Sequence, residues 1–171
     1  LDGLTNPEKD VEGAWGFWHE LGHNHQRPEW TFAGAGEVTC NLFSLFVEEK
    51  IRGTAPKDHP WFSGYPGKAE AYLARPDFEV WKKDPWIGLW LFTEIQSAFG
   101  WEPFKKVFAA YAAAPESELP KTDEAKRDQW LVRLSRATGK NLAPQFDRWG
   151  IPVSATARKE ISGLPSWRSP D

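Results

Sequence analysis

The run His19-Glu20-Leu21-Gly22-His23 constrains this chain more than any other feature. On a helix, residues four apart share a face, so the two imidazoles point the same way and can grip one metal ion. The glutamate directly after the first histidine then sits beside a metal-bound water without being a ligand, which is the arrangement that lets a carboxylate take a proton from that water. Gly22 lacks a side chain and lets a second segment approach this helix closely. The motif therefore asks for a helix over residues 14–26, ended ahead of Pro28, and for a neighbouring element that completes the site.

A catalytic zinc takes three protein ligands and keeps one position open. The chain has 4 histidines, at positions 19, 23, 25 and 59. Two residues compete for the third place. His59 has useful separation, but Glu37 is the better candidate, because it opens the next helix and a return across the loop at 27–36 brings it back over the first. One turn further along that helix, Asn41 is placed to hydrogen-bond the second nitrogen of a ligand histidine. Glu48 falls on the same stripe and reads as a solvated surface glutamate.

Helical periodicity dominates the remainder. Val38, Leu42, Leu45 and Phe46 mark the apolar side of a helix over 37–52, closed by Gly53. Residues 54–83 are rich in glycine, proline and aromatics and read as loop, with a short helix near 67–73. Asp84-Pro85 supplies a cap and a first-turn proline for an apolar helix reaching Phe99 and Gly100. Further helices fit 103–114, 122–138 with Thr122 as its cap, 142–149 and 155–162. No stretch shows strong strand alternation, and there is no internal repeat. The expected fold is mainly α with few or no strands, organised as one domain over 1–171, with the zinc-site helices in 14–52 and a helical C-terminal region in 84–162.

Composition excludes some roles. The formal charge is −3, from 24 acidic and 21 basic residues, so no basic surplus calls for a nucleic acid. No apolar run reaches the roughly 18 residues of a membrane span. Cys40 is the single cysteine, so no internal disulfide forms. The 11 tryptophans are the outlier; most are expected in the core, with a few available to line a groove.

The stretches from His19 to Trp30 and from Gly36 to Val47 resemble the enhancin-type family of zinc peptidases, mucin-degrading enzymes whose pattern is His-Glu-x-x-His followed after a variable gap by a glutamate. The segments Pro103 to Phe108, Gly139 to Pro144 and Arg148 to Val153 also resemble that family's helical C-terminal part. Carried over residue by residue, the resemblance implies that His19, His23 and Glu37 ligate zinc and that Glu20 is the catalytic base. It implies an extracellular or cell-surface location and a zincin-type fold. Only 18 residues precede His19, so the chain looks like the C-terminal half of a catalytic domain, whose remaining N-terminal part is an expected partner. A related animal group resembles this fold, lacks zinc-site residues and serves as channel-associated factors; here every metal-binding position is present.

The resemblance further implies hydrolysis of peptide bonds in O-glycosylated, mucin-like glycoproteins, with a non-catalytic glycoprotein-binding module of the same fold as the alternative. A bare structural metal site is a third reading, disfavoured because structural zinc takes four closed ligands. The developing oxyanion needs a donor, for which His25, Arg27, Tyr65 and Tyr72 are candidates. Trp30, Trp61 and Tyr65, in segments flanking the ligands, are candidates for sugar contact.

Overall fold

The computed structural model describes residues 11–63 and 66–170. It is mainly helical, as the periodicity leads one to expect. The first long helix, α1 (Val11–His25), is followed by α2 (Gly36–Arg52). Short helices α3 (Pro60–Ser63), α4 (Pro66–Leu73) and α5 (Phe78–Trp81) lead to α6 (Pro85–Phe99) and α7 (Glu102–Ala113). Then come α8 (Asp123–Thr138), α9 (Ala143–Arg148) and α10 (Ala155–Glu160). Among the described residues the only extended pairing is an isolated bridge between Asn141 and Ser166.

Local chemistry sets most boundaries. Asp84 accepts hydrogen bonds from the backbone N–H of Trp86 at 3.1 Å and of Ile87 at 3.3 Å, capping α6. Thr122 does the same for α8 through Ala125, at 3.2 Å. Helix α2 stops at Gly53, whose φ of 72° closes the last turn with an N–H to Glu49 O contact. The 54–83 segment holds more helix than its composition suggests. A 3-10 turn at Pro56–Asp58 and helices α3 and α5 join the expected one near residue 70. Pro56 and Pro60 sit in first-turn positions that need no N–H, and Asp77 caps α5 by accepting from Glu79 N at 2.7 Å. Helix α5 is only one turn long, but it delivers Trp81 into the core, and such burial stabilises by roughly 1.5–3 kcal/mol for a large side chain.

One core runs through the molecule, with Trp81, Trp130, Trp149, Tyr111, Phe92 and Phe104 fully buried. Helix α2 crosses α6 where Gly88 leaves room for Val38, and α7 packs on α8. The loop between α1 and α2 is held from the C-terminal region. Trp130 Nε1 on α8 donates to Trp30 O at 2.7 Å, Lys126 Nζ to Thr31 O at 3.2 Å, and Ala33 N donates to Asp123 Oδ1 at 3.0 Å. Helix α8 thus fixes the turn that sets how α1 and α2 meet.

Candidate metal centre

Helices α1 and α2 run antiparallel. Pairings between them climb in opposite directions: Gln26 meets Gly36 and Thr39, His23 meets Glu37, Gly22 meets Cys40, and His19 meets Asn41. The approach is close because Gly22 has no side chain; a Cβ there would stand 2.5 Å from the Cys40 carbonyl oxygen.

This crossing gathers His19, His23 and Glu37. His19 Nε2 lies 3.2 Å from His23 Nε2 and 3.1 Å from Glu37 Oε2, and His23 Nε2 lies 3.7 Å from the same carboxylate oxygen. A tetrahedral metal with bonds near 2.0–2.1 Å sets its donors about 3.3 Å apart. The triangle has those dimensions, so the donor set fits a small divalent cation. His59 is not part of it. It is buried against Trp15, 4.7 Å between ring centroids, and burial together with nearby Arg52 pushes its pKa down to about 4.

The far side of each imidazole carries an amide. Asn41 Oδ1 is 2.7 Å from His19 Nδ1, and Gln26 Oε1 is 2.7 Å from His23 Nδ1. A carbonyl oxygen only accepts, so each ring donates from Nδ1 and turns its Nε2 toward Glu37. Asn41 is 3% exposed, a buried polar group whose place is explained by this bond.

Cys40 is a fourth metal-ligating residue in the cluster; donor atoms of His19, His23, Glu37 and Cys40 all lie within 4.8 Å of one another. Its sulfur does not join the triangle. It contacts His19 through Nδ1, at 3.5 Å, on the side that Asn41 occupies, and it donates to Glu37 O at 3.2 Å. Burial and the charges of Glu37 and Glu20 push the thiol up to about 12. The triangle's outer side stays open, with Glu37 56% exposed; Glu20, next to His19 in sequence, is exposed as well. That leaves room for a water or substrate.

The other candidates from sequence are placed elsewhere. Trp30 is 4% exposed and packs on Phe108 and Tyr111, at 5.1 and 5.4 Å between centroids, so its ring is core and not a platform for sugar. Arg27 pairs with Glu29 at 3.2 Å and lies over Trp30. His25 points away from the triangle and leans on Phe43. Tyr72 is buried and donates to Trp149 O at 2.9 Å. Tyr65 lies outside the described residues, as does the Trp61 side chain. Glu48 is a correction: it is 2% exposed and pairs with Arg52 Nε at 2.8 Å. Its stripe faces α1 and the adjoining core, and a buried carboxylate persists there because a guanidinium neutralises it. Sequence reading missed Gln26, although its position three residues after His23 puts it on the same side of the chain.

Comparison with known proteins adds a family. Residues 2–150 match the model for "Peptidase M60, enhancin and enhancin-like". The chain is 37% identical to TRPM8 channel-associated factor 3 of Rattus norvegicus over 98% of its own length and 19% of that protein's. It is 36% identical to TRPM8 channel-associated factor 2 of Homo sapiens, over 91% and 17%. It superposes with a TM-score of 0.81 and 32% identity on a functionally unknown conserved protein from Bacillus anthracis str. Ames, covering 97% of this chain and 33% of that one. The chain thus spans less than a fifth of these curated relatives and about a third of the solved structure.

Proposed function

The chain belongs to the peptidase M60 family, enhancin and enhancin-like, and on that premise we propose that it carries the zinc site of an endopeptidase acting on O-glycosylated, mucin-like glycoproteins. The observation that carries this reading is the triangle of two Nε2 atoms and one carboxylate oxygen, each imidazole backed by an amide oxygen.

His19, His23 and Glu37 would hold the zinc. When bound, the ion supplies a Lewis acid that acidifies a water and polarises a peptide carbonyl. Asn41 and Gln26 keep the histidine lone pairs in place for it. Glu20 follows His19 on α1 and is solvent-exposed; its carboxylate takes the proton from the attacking water and returns it to the departing amine nitrogen. Three ligands with an open face suit catalysis, where a structural zinc is closed by four. The remaining N-terminal part of the peptidase domain is the partner that would complete the cleft, and the mucin-like substrate places the protein outside the cell or on its surface.

A second reading has an observation of its own. The relatives named channel-associated factors match across more than nine-tenths of the chain, which favours a non-catalytic role for the same fold, such as a module that binds its target without cutting it. Changing Glu20 to Gln in the whole protein separates the two. Loss of mucin cleavage by about 10²–10⁴-fold with zinc content unchanged supports the peptidase. A Glu20→Gln protein that cuts mucin as fast as its parent overturns the mechanism, and a parent that binds mucin without cutting it establishes the module.

A further inference from the structure

Gln26 touches both halves of the candidate metal centre. Its Oε1 lies 2.7 Å from His23 Nδ1. Its Nε2 donates to the backbone carbonyl of Gly36 and to Thr39 Oγ1. Gly36 immediately precedes Glu37, and Thr39 Oγ1 is itself anchored by donating to Ala35 O at 3.0 Å.

An amide can present either oxygen or nitrogen to a neighbour, and a rotation about its last bond exchanges them. Here the Gly36 carbonyl accepts only, so it selects the nitrogen and leaves the oxygen for His23. The ring must then donate from Nδ1 and keep Nε2 free for a metal. We propose that Gln26 is a positioning residue for the metal centre: it fixes the His23 tautomer, and the N-terminus of α2, which carries the ligand Glu37, fixes Gln26. Asn41 does the equivalent for His19 from within α2. The His23 ring and the start of α2 are thereby set by one side chain, so ligand geometry is prepared before a metal arrives. This inference rests on the reading of His19, His23 and Glu37 as metal ligands.

The test uses the metal-free and zinc-loaded chain with Gln26 changed to Leu and, separately, to Glu. A carboxylate keeps an acceptor for Nδ1–H but offers no N–H to the Gly36 carbonyl, so Gln26→Glu keeps the bond to His23 and loses the anchor on α2. In the parent, long-range 1H–15N correlation spectra of metal-free protein should show His23 protonated on Nδ1. Gln26→Leu should shift that ring toward the Nε2–H tautomer and weaken zinc binding, measured by competition with a chromophoric chelator, by about 10–100-fold. Gln26→Glu should keep the Nδ1–H tautomer and bind zinc with an affinity between those of the parent and Gln26→Leu, because the start of α2 is no longer held. Gln26→Leu with an unchanged tautomer and affinity within twofold of the parent overturns the proposal, as does a Gln26→Glu protein that loses the tautomer. If Gln26→Leu fails to fold, the Glu variant decides. A parent that binds no zinc sinks the metal reading instead, while the tautomer of metal-free protein still judges Gln26.

Discussion

Gly22 on α1 and Cys40 on α2 touch backbone to backbone, close enough that a Cβ on Gly22 would meet the Cys40 carbonyl oxygen at 2.5 Å. This contact sets the separation of the two helices that carry every proposed ligand. Gly22→Ala would force them apart, because the atom in the way is backbone and cannot swing aside. The expected loss is about 1–3 kcal/mol of stability, the usual cost of overpacking, with weaker zinc binding. Denaturant unfolding and zinc titration would check this; an alanine variant with parental values would show that the helices are not fixed by this approach.

Asn41 faces His19 from a buried position. Asn41→Leu removes the acceptor for Nδ1–H, and zinc affinity should fall about 10–100-fold, the range for partners behind a ligand histidine. Asn41→Asp keeps an acceptor and should recover most of the loss in a chelator competition. Equal affinity in all three proteins would show that His19 needs no such partner.

His59 gives a pH dependence separable from the metal site. Burial and Arg52 hold its pKa near 4, while an unfolded histidine titrates near 6.5. Below about pH 6.5 the unfolded chain takes a proton that the folded one refuses. The stability held by the neutral ring is therefore complete above that pH and lost as pH falls to about 4, by roughly 3 kcal/mol. Glu48 works in the opposite sense: burial raises its carboxyl while Arg52 draws it back, so its contribution is lost as pH rises. Glu48 is common to parent and variant, and their difference isolates His59. Denaturant unfolding of metal-free parent and His59→Leu across this range should show a flatter profile for the variant; parallel profiles would refute the assignment.

Asp84 caps α6 with two backbone bonds and pairs with Lys68 at 2.6 Å. Asp84→Ala should lower stability by about 0.5–2 kcal/mol and leave zinc affinity unchanged, since α6 supports α2 through the core without touching a ligand. A thermal melt and a zinc titration on the same sample test both halves of that statement.

The sequence by itself determined most of the long helices and two of the proposed ligands. Helix ends were legible because caps act locally: Asp84, Thr122, Gly53 and Gly139 each sit beside the boundary they make. His19 and His23 were legible because four residues on a helix is a fixed geometry. Glu37 and Asn41 emerged from periodicity once an antiparallel return was assumed. Only the tertiary structure decided what lies between elements. It buried Trp30 and Glu48, which look like surface or groove residues in one dimension, because burial depends on what packs over a face and a single helix does not specify its neighbour. It turned Cys40 behind His19 instead of into the donor triangle. It also placed Gln26 between His23 and Gly36, a relationship that exists only once α1 and α2 have been brought together across Gly22.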